Sequence, residues 1–395
     1  MPNELAYALI TPYSLLKSRT GGIISRLLAL SGLDLVAARL YAPSDEFVGE
    51  YRALLARPDI EPDMKKGLLS YLDDYFRKDN KFGITNRTLL LLFYGEDAIA
   101  RIRRSVGSLS RPDAQGNTVR GTYGDFIGYA TGEMRHFEPA VFVGTDKAAI
   151  ADELKLFARY ADNDGGVLER VVTFPEGENP ETTLVILKPD NFKLGSSRPG
   201  NIIDMFSRTG LCIVGARMLR LSVAQAEQFY GPLLPIFVRK LKKGVAERVG
   251  EVLRDSFDFP ISDETVDAVA DLLKEANAQH EFYRIVEYMS GQNPYAVTSE
   301  EHKKAPGTGK CLALLYRGPG AIAKIRECLG STNPQEAAPG TVRSVYGDDL
   351  MKNGAHASDS VESAERERHI IGLWENTSPC DVEVLINEYL SEQKE

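Results

Sequence analysis

The chain has 395 residues, 43% hydrophobic and 26% charged, which is enough apolar material for two cores. Its net charge of −9 argues against a broad nucleic-acid surface but leaves room for a small basic pocket that takes a phosphorylated ligand. Cys212, Cys311, Cys328 and Cys380 show no paired metal spacing and read as reduced thiols of a cytoplasmic protein; no basic-then-apolar leader opens the chain, and no apolar run reaches membrane-spanning length.

In chain order the elements fall into a repeat. The segment "RTGGIISRLLALSGLDLVAARL" (19–40) matches "SRPGNIIDMFSRTGLCIVGARML" (197–219), pairing Gly22 with Gly200 and Arg39 with Arg217, each 178 residues apart. Further on, "ARIRRSVGSLSRPDAQGNTVRGTYGD" (100–125) matches "AKIRECLGSTNPQEAAPGTVRSVYGD" (323–348), pairing Arg103 with Arg326 and Arg120 with Arg343, now 223 apart. One unit therefore occurs twice, and the second copy carries 45 extra residues between its matched blocks.

Each copy reads as strand, helix, strand, helical region, strand, helix, long loop and final helix. In the first copy, "TLLLLFY" (88–94) predicts a buried strand. A stretch rich in Gly, Pro and acids (161–182) predicts the junction. In the second copy, strands are predicted near 182–188, 211–219 and 311–317, and helices near 199–209, 222–230, 319–328 and 359–373. The alternation predicts an α+β sandwich with helices laid on a small sheet. The extra residues read as an inserted helical hairpin near 233–279, with helices over 233–257 and 264–289. Ser262 or Asp263 caps the second helix, and Val266, Val269, Leu272 and Leu273 share a face. A further insertion, 293–310, reads as a polar surface loop.

Two motifs are set aside. "APGTGKC" (305–311) lacks the first glycine of a phosphate loop, where Lys304 stands, and its hydroxyl, where Cys311 stands. "HEFYR" (280–284) lacks the second histidine of a zinc helix, and no G-x-S-x-G elbow offers a hydrolase nucleophile.

In "NGAHASDSVESAE" (353–365), His356 stands at what reads as the mouth of a helix. Ser358 or Asp359 serves as its cap, and Glu362 and Glu365 suit its first turns. A helix start tolerates negative charge nearby, by about 0.3–1 kcal/mol when exposed. Upstream, Arg326, Thr332 and Arg343 supply groups suited to phosphate oxygens. On spacing alone, a solvated histidine beside ordinary surface arginines reads equally well.

The residues that separate these readings are "TLVILKPD" (183–190), "GSTNPQEAAPGTVR" (330–343) and the His356 segment with its closing "IGLW" (371–374). Together they resemble the nucleoside diphosphate kinase family, over nearly all of 183–375 apart from the two insertions. The resemblance implies two ferredoxin-like α/β sandwich domains, each an antiparallel four-stranded sheet covered by helices. Their bounds would be 1–165 for a degenerate copy, 166–181 for a linker and 182–395 for a catalytic copy.

It also implies transfer of a γ-phosphoryl from a nucleoside triphosphate to a nucleoside diphosphate, ping-pong, through a phosphohistidine at His356. By position, Glu367 orients the ring and Ser358 sits beside it. Lys188 and Asn353 meet the phosphate and ribose, Tyr230 approaches the transferring group, and Arg326, Thr332 and Arg343 hold phosphates. Mg2+ would bridge the phosphates without a protein metal site, Asp359 helping only through water. The partners implied are nucleotides, with no membrane or nucleic acid, and an intrachain pseudo-dimer open to further homo-oligomerisation.

The chain departs from the family where its paired aromatics fall on Glu281 and Phe282, so that stacking on the base comes from Phe282, comes from elsewhere or is weak. The first copy is decayed: Thr11 replaces Lys188 and Leu109 replaces Thr332. His136 aligns with His356, with Glu138 then at Ser358 and Lys147 at Glu367. A reading from another class is a non-catalytic nucleotide-binding or scaffold protein of the same fold.

Overall fold

The computed structural model describes residues 3–58, 60–80, 83–109, 116–128, 134–144, 147–374 and 380–393. In the first copy, β1 (Asn3–Ile10), β2 (Asp34–Tyr41) and β3 (Thr88–Glu96) are followed by a separate hairpin, β4 (Asp125–Gly128) with β5 (Met134–Glu138), and by β6 (Val141–Val143). The second copy supplies β7 (Pro180–Leu187), β8 (Cys212–Arg220), β9 (Lys310–Pro319) and β10 (Ala355–Ala357). The two antiparallel sheets run β2-β3-β1-β6 and β10-β7-β9-β8. Counted within each copy, both orders are the 2-3-1-4 arrangement of a ferredoxin-like fold, as the resemblance implied. The predicted strand "TLLLLFY" is an inner strand, fully buried from Thr88 to Phe93. Such a continuous apolar run fits a strand flanked on both edges and covered by helices.

The chain divides into two compact units, Met1–Met218 with Leu312–Glu395, and Leu219–Cys311. In the first unit the helices Thr20–Ser31 and Arg198–Ser207, one from each copy, lie against each other at backbone contact. A methyl group at Gly200 would run into the Gly21 carbonyl and the Ser25 amide, and one at Gly21 would meet the backbone of Gly200 and Asp204. Ser25 donates across the seam to the Ser197 carbonyl at 3.0 Å or the Asn201 side-chain oxygen at 2.7 Å. Gly200, which the repeat singles out, therefore serves close packing, and its partner at the seam is Gly21 rather than the aligned Gly22, which faces Tyr123. Arg39 and Arg217, paired by the same repeat, also act alike. Arg39 donates to the Ala161 carbonyl at 2.8 Å and pairs with Asp162. Arg217 donates to the Ile371 carbonyl at 2.7 Å and pairs with Asp381.

The second unit contains the helical hairpin, Leu234–Ser256 with Asp263–Ser290. Ser262 is the cap, accepting from the Thr265 amide, and Gly291 closes the helix with φ +74°. Ion pairs Lys242–Asp271 (2.9 Å) and Arg254–Asp263 (2.6 Å) link the two helices. The predicted apolar face is only partly right. Val266 is buried, but Leu272 is 82% exposed and Leu273 is exposed too. The buried stripe instead follows Val266, Ala270, Ala278, Phe282, Val286 and Met289. The predicted loop 293–310 contains a short helix, Glu300–Lys304, capped by Ser299. Its glycine-rich end is a strap, with the Thr308 and Gly309 amides both donating to the Ser290 carbonyl at 2.7 and 2.9 Å. Those amides are committed to protein rather than turned to a phosphate. Among the described residues, no helix is long and apolar enough to cross a membrane.

Candidate active site

The site grows from two adjacent strand ends of the second sheet. β10 pairs antiparallel with β7, His356 opposite Ile186, so the histidine is the middle residue of a three-residue edge strand. It does not stand at the helix mouth. The following helix, Val361–Ile370, is capped by Ser360, whose hydroxyl accepts from the Ser363 amide. This corrects the expected caps Ser358 and Asp359. Gly354 enters β10 with φ +80°, a conformation that glycine adopts without penalty. Its carbonyl accepts from the Lys188 amide (3.0 Å) and from Asn191 Nδ2 (2.6 Å). Asn191, buried and also bonded to the Lys188 carbonyl, locks the two strand ends together. Sequence reasoning missed it; its place three residues beyond Lys188 was the only clue.

His356 Nε2 lies 2.8 Å from Glu367 Oε2, and Ser358 Oγ donates to the same oxygen at 2.7 Å. Arg366 reaches the other oxygen at 3.3 Å. A carboxylate only accepts, so Nε2 carries the ring proton and Nδ1 carries the lone pair. Glu367 is 4% exposed and Ser358 fully buried, while the His356 side chain keeps 20% exposure. The partners are thus fixed inside and the ring faces outward. Asp359 is held below the usual carboxylate range, first by a hydrogen bond with Ser363 and further by the charges of Arg326 and His356. That coupling puts Asp359, Arg326 and His356 in one electrostatic neighbourhood.

Lys188 is buried, its Nζ donating to Asn353 Oδ1 at 2.7 Å and to the Met351 carbonyl at 2.9 Å. Asn353 Nδ2 donates to the Thr332 or Leu350 carbonyl, each at 3.1 Å. Arg343 Nη1 donates to the Gly330 carbonyl at 3.0 Å and lies 3.4 Å from Thr332 Oγ1. The loop 330–343 is tied to β10 through Arg343 and the Ala355 carbonyl, with Thr332 exposed on the loop and Arg326 exposed on the preceding helix, Ala321–Leu329. His356, Glu367, Ser358, Lys188, Asn353, Thr332 and Arg343 form one connected neighbourhood. Tyr230 and Phe282 belong to the other unit. Phe282 is 4% exposed within the buried stripe of its helix, so its ring has no open face for a base. That corrects the expectation of stacking.

In the first copy, the structure also corrects the expected alignment. The Thr11 amide donates to the Ala140 carbonyl at 3.1 Å, as the Lys188 amide does to Gly354. Ala140 even shares the left-handed backbone of Gly354, with φ +60°. β6 pairs with β1, Phe142 opposite Leu9, and Arg120 grips the Gly107 and Val141 carbonyls as Arg343 grips those of Gly330 and Ala355. Phe142 therefore stands at the place of His356, Gly144 at Ser358 and Glu153 at Glu367. His136 instead belongs to β5, opposite Ile127, in the extra hairpin that displaced the alignment. Its side chain lies outside the described residues.

Phe142 is 2% exposed and packed against the rings of Tyr51, Tyr71 and Phe76. The Glu138 carboxylate is also buried there, accepting from Thr11 Oγ1 (2.8 Å), Tyr71 OH (2.6 Å) and the Ala140 amide (2.9 Å). Burial pushes its pKa upward against those bonds. An internal carboxylate and an aromatic ring occupy what the second copy keeps open.

Among the described residues, no group of three His, Cys, Asp or Glu could hold a metal ion. The donor set around His356 is cationic and hydroxylic, and Asp359 is the one carboxylate named near it that is exposed to act on a cation through water.

The nucleoside diphosphate kinase family model matches residues 181–235 and 265–372. The unmatched residues between these segments, 236–264, hold most of the Leu234–Ser256 helix. The chain is similar to nucleoside diphosphate kinases of Legionella pneumophila (strain Paris) and Chlamydia abortus, each 31% identical over 187 residues, 47% of this chain and 89% of the relative. That of Campylobacter fetus is 30% identical over 188 residues, 47% of this chain and 91% of the relative. A crystal structure of the Aquifex aeolicus nucleoside diphosphate kinase is 27% identical, covering 49% of this chain and 95% of that chain, with a TM-score of 0.31. The family these comparisons point to is one of nucleotide-binding transferases. The chain belongs to the nucleoside diphosphate kinase family and is an enzyme of that class.

Proposed function

We propose that the chain transfers the γ-phosphoryl group of a nucleoside triphosphate to a nucleoside diphosphate through a phosphohistidine at His356. The observation that carries this reading is the 2.8 Å contact of Glu367 with His356 Nε2, which assigns the lone pair to Nδ1. In the first half-reaction Nδ1 attacks the γ-phosphorus, the P–N bond forms, and the bridging P–O bond breaks with its electron pair leaving on the diphosphate. In the second, a terminal oxygen of another diphosphate attacks the phosphorus and the P–N bond returns its electrons to Nδ1. Glu367 balances the charge on the imidazole, and Ser358 holds the carboxylate in place. Arg326, Arg343 and Thr332 bind phosphate oxygens, while Lys188 and Asn353 meet the transferred group and the ribose. The loose transition state needs positioning and charge neutralisation more than a base, which suits this cationic lining.

Magnesium would enter with the nucleotide substrate and neutralise phosphate charge, Asp359 helping only through water. The first copy serves structure: it pairs with the second as an intrachain pseudo-dimer, a role supported by the backbone contact of the Gly21 and Gly200 helices. A cytoplasmic location fits four cysteines that form no disulfide among the described residues.

The test is incubation with γ-labelled nucleoside triphosphate followed by acid treatment. Wild type and His136→Ala should both form an acid-labile phosphoenzyme and turn over equally, and His356→Ala should do neither. Full transfer by His356→Ala would sink the proposal.

A further inference from the structure

Arg198 opens the helix Arg198–Ser207 and is none of the residues assigned to phosphoryl transfer, yet its contacts reach the three chain segments that carry Lys188, His356 and Arg343. Its Nη2 donates to Asp190 Oδ2 at 2.7 Å, two residues beyond Lys188. Its Nε donates to Asn191 Oδ1 at 2.8 Å. Asn191 in turn donates to the Lys188 carbonyl and to that of Gly354, two residues before His356. The second Nη2 hydrogen goes to the Tyr346 carbonyl, at the end of the short helix Val342–Tyr346 that includes Arg343. The guanidinium carbon lies 5.7 Å from the centre of the Tyr346 ring, a further hold on the same segment.

A primary amide can turn either its oxygen or its NH2 toward a pair of carbonyls, and only the NH2 bonds to them. The Arg198 Nε–H claims the Asn191 oxygen, which leaves the NH2 to bridge Lys188 and Gly354. Asn191 is 1% exposed, so solvent does not stand in for the guanidinium. The planar fork serves three acceptors in fixed geometry, which the single point charge of a lysine does not.

We propose that Arg198 is a positioning residue for phosphoryl transfer, holding the segments of Lys188, His356 and Arg343 in one arrangement through Asp190, Asn191 and the Tyr346 carbonyl. It touches no reacting atom, and the inference rests on the phosphohistidine reading above. Without the fork the three segments lose their common anchor, and misplacement on the scale of about 1 Å costs about a hundredfold in rate.

The experiment is rapid-quench labelling of the full chain with γ-labelled nucleoside triphosphate, stopped in alkali, where a phosphohistidine persists. Rate constant and final amplitude are read separately. Arg198→Met keeps an unbranched stem beside Tyr346 and removes the fork. It should label to the wild-type amplitude with a rate constant about ten- to hundredfold lower. A merely structural role moves the other quantity, leaving fewer competent sites that each react at the wild-type rate. Should Arg198→Met not fold, Arg198→Lys keeps a charge beside Asp190 and should show the same split, a lower rate constant at full amplitude. Equal rate constants for wild type and variant, whether or not the amplitude falls, would overturn the inference and leave the phosphohistidine reading standing. A wild type that takes no label would overturn both.

Discussion

Phe142 and His356 occupy the same place in the two copies, each the middle residue of a three-residue edge strand, one opposite Leu9 and the other opposite Ile186. The aromatic ring closes the site that the imidazole keeps open. Restoring the histidine alone should not restore chemistry, because Thr11 stands in place of Lys188 and Glu138 already fills the neighbouring anion position. In a His356→Ala background, Phe142→His is expected to give no phosphoenzyme. Labelling at a level near wild type would show that the first copy needs only its nucleophile.

In the proposed reaction Glu367 acts through His356 and is a positioning residue. Glu367→Gln should lower kcat by roughly ten- to hundredfold, the equivalent of one charge-assisted hydrogen bond of about 1.5–3 kcal/mol. KM for the nucleotides should change little, since the carboxylate is buried behind the ring. A change confined to KM would contradict the orienting role. Ser358→Ala, which loosens Glu367 without removing it, should lower kcat by less.

Glu138 gives stability a pH dependence of unusual sign for a carboxylate. Its folded pKa is raised above the ordinary 4.5 by burial, so between those values the folded state binds more protons than the unfolded state. Its contribution is fully present below the unfolded pKa and is lost as pH rises through the folded pKa. Glu138→Gln, which cannot ionise, should flatten that fall in stability above about pH 4.5 when urea midpoints are compared across pH. Parallel profiles for the two proteins would show that Glu138 is not the group responsible.

The seam between the copies tolerates no added atom at Gly200. Gly200→Ala should destabilise the chain by about 1–3 kcal/mol, since the methyl group meets backbone rather than a movable side chain. A methyl group on Gly49, in the helix Asp45–Ala56, would meet nothing within 4 Å, so Gly49→Ala should be neutral or stabilising by roughly 0.5–1 kcal/mol. Chemical denaturation of both variants separates a packing cost from a general effect of losing glycine. Equal stability of Gly200→Ala and wild type would remove the close contact from the account.

Local pattern was enough for the repeat, the strands and helices of the second copy, and the residues converging on His356. Those features depend on spacing along the chain, on apolar period and on short motifs, all of which are written in one dimension. The helical hairpin was legible for the same reason, but the buried face of its second helix was not. Leu272 and Leu273 match an apolar stripe by residue type, whereas burial depends on what lies opposite, and the structure covers Ala270 and Ala278 instead. Phe282 was misread on the same ground, its ring being spent on packing.

The equivalence of Phe142 with His356 needed tertiary structure outright. The β4–β5 hairpin lengthens the first copy's loop, so chain spacing carried His136 into the nucleophile's position. Only strand register and the paired Thr11–Ala140 and Lys188–Gly354 hydrogen bonds identify the residue that fills that place. The same limit hid Asn191, because its bond to the Gly354 carbonyl joins groups that folding brings together across a long stretch of chain.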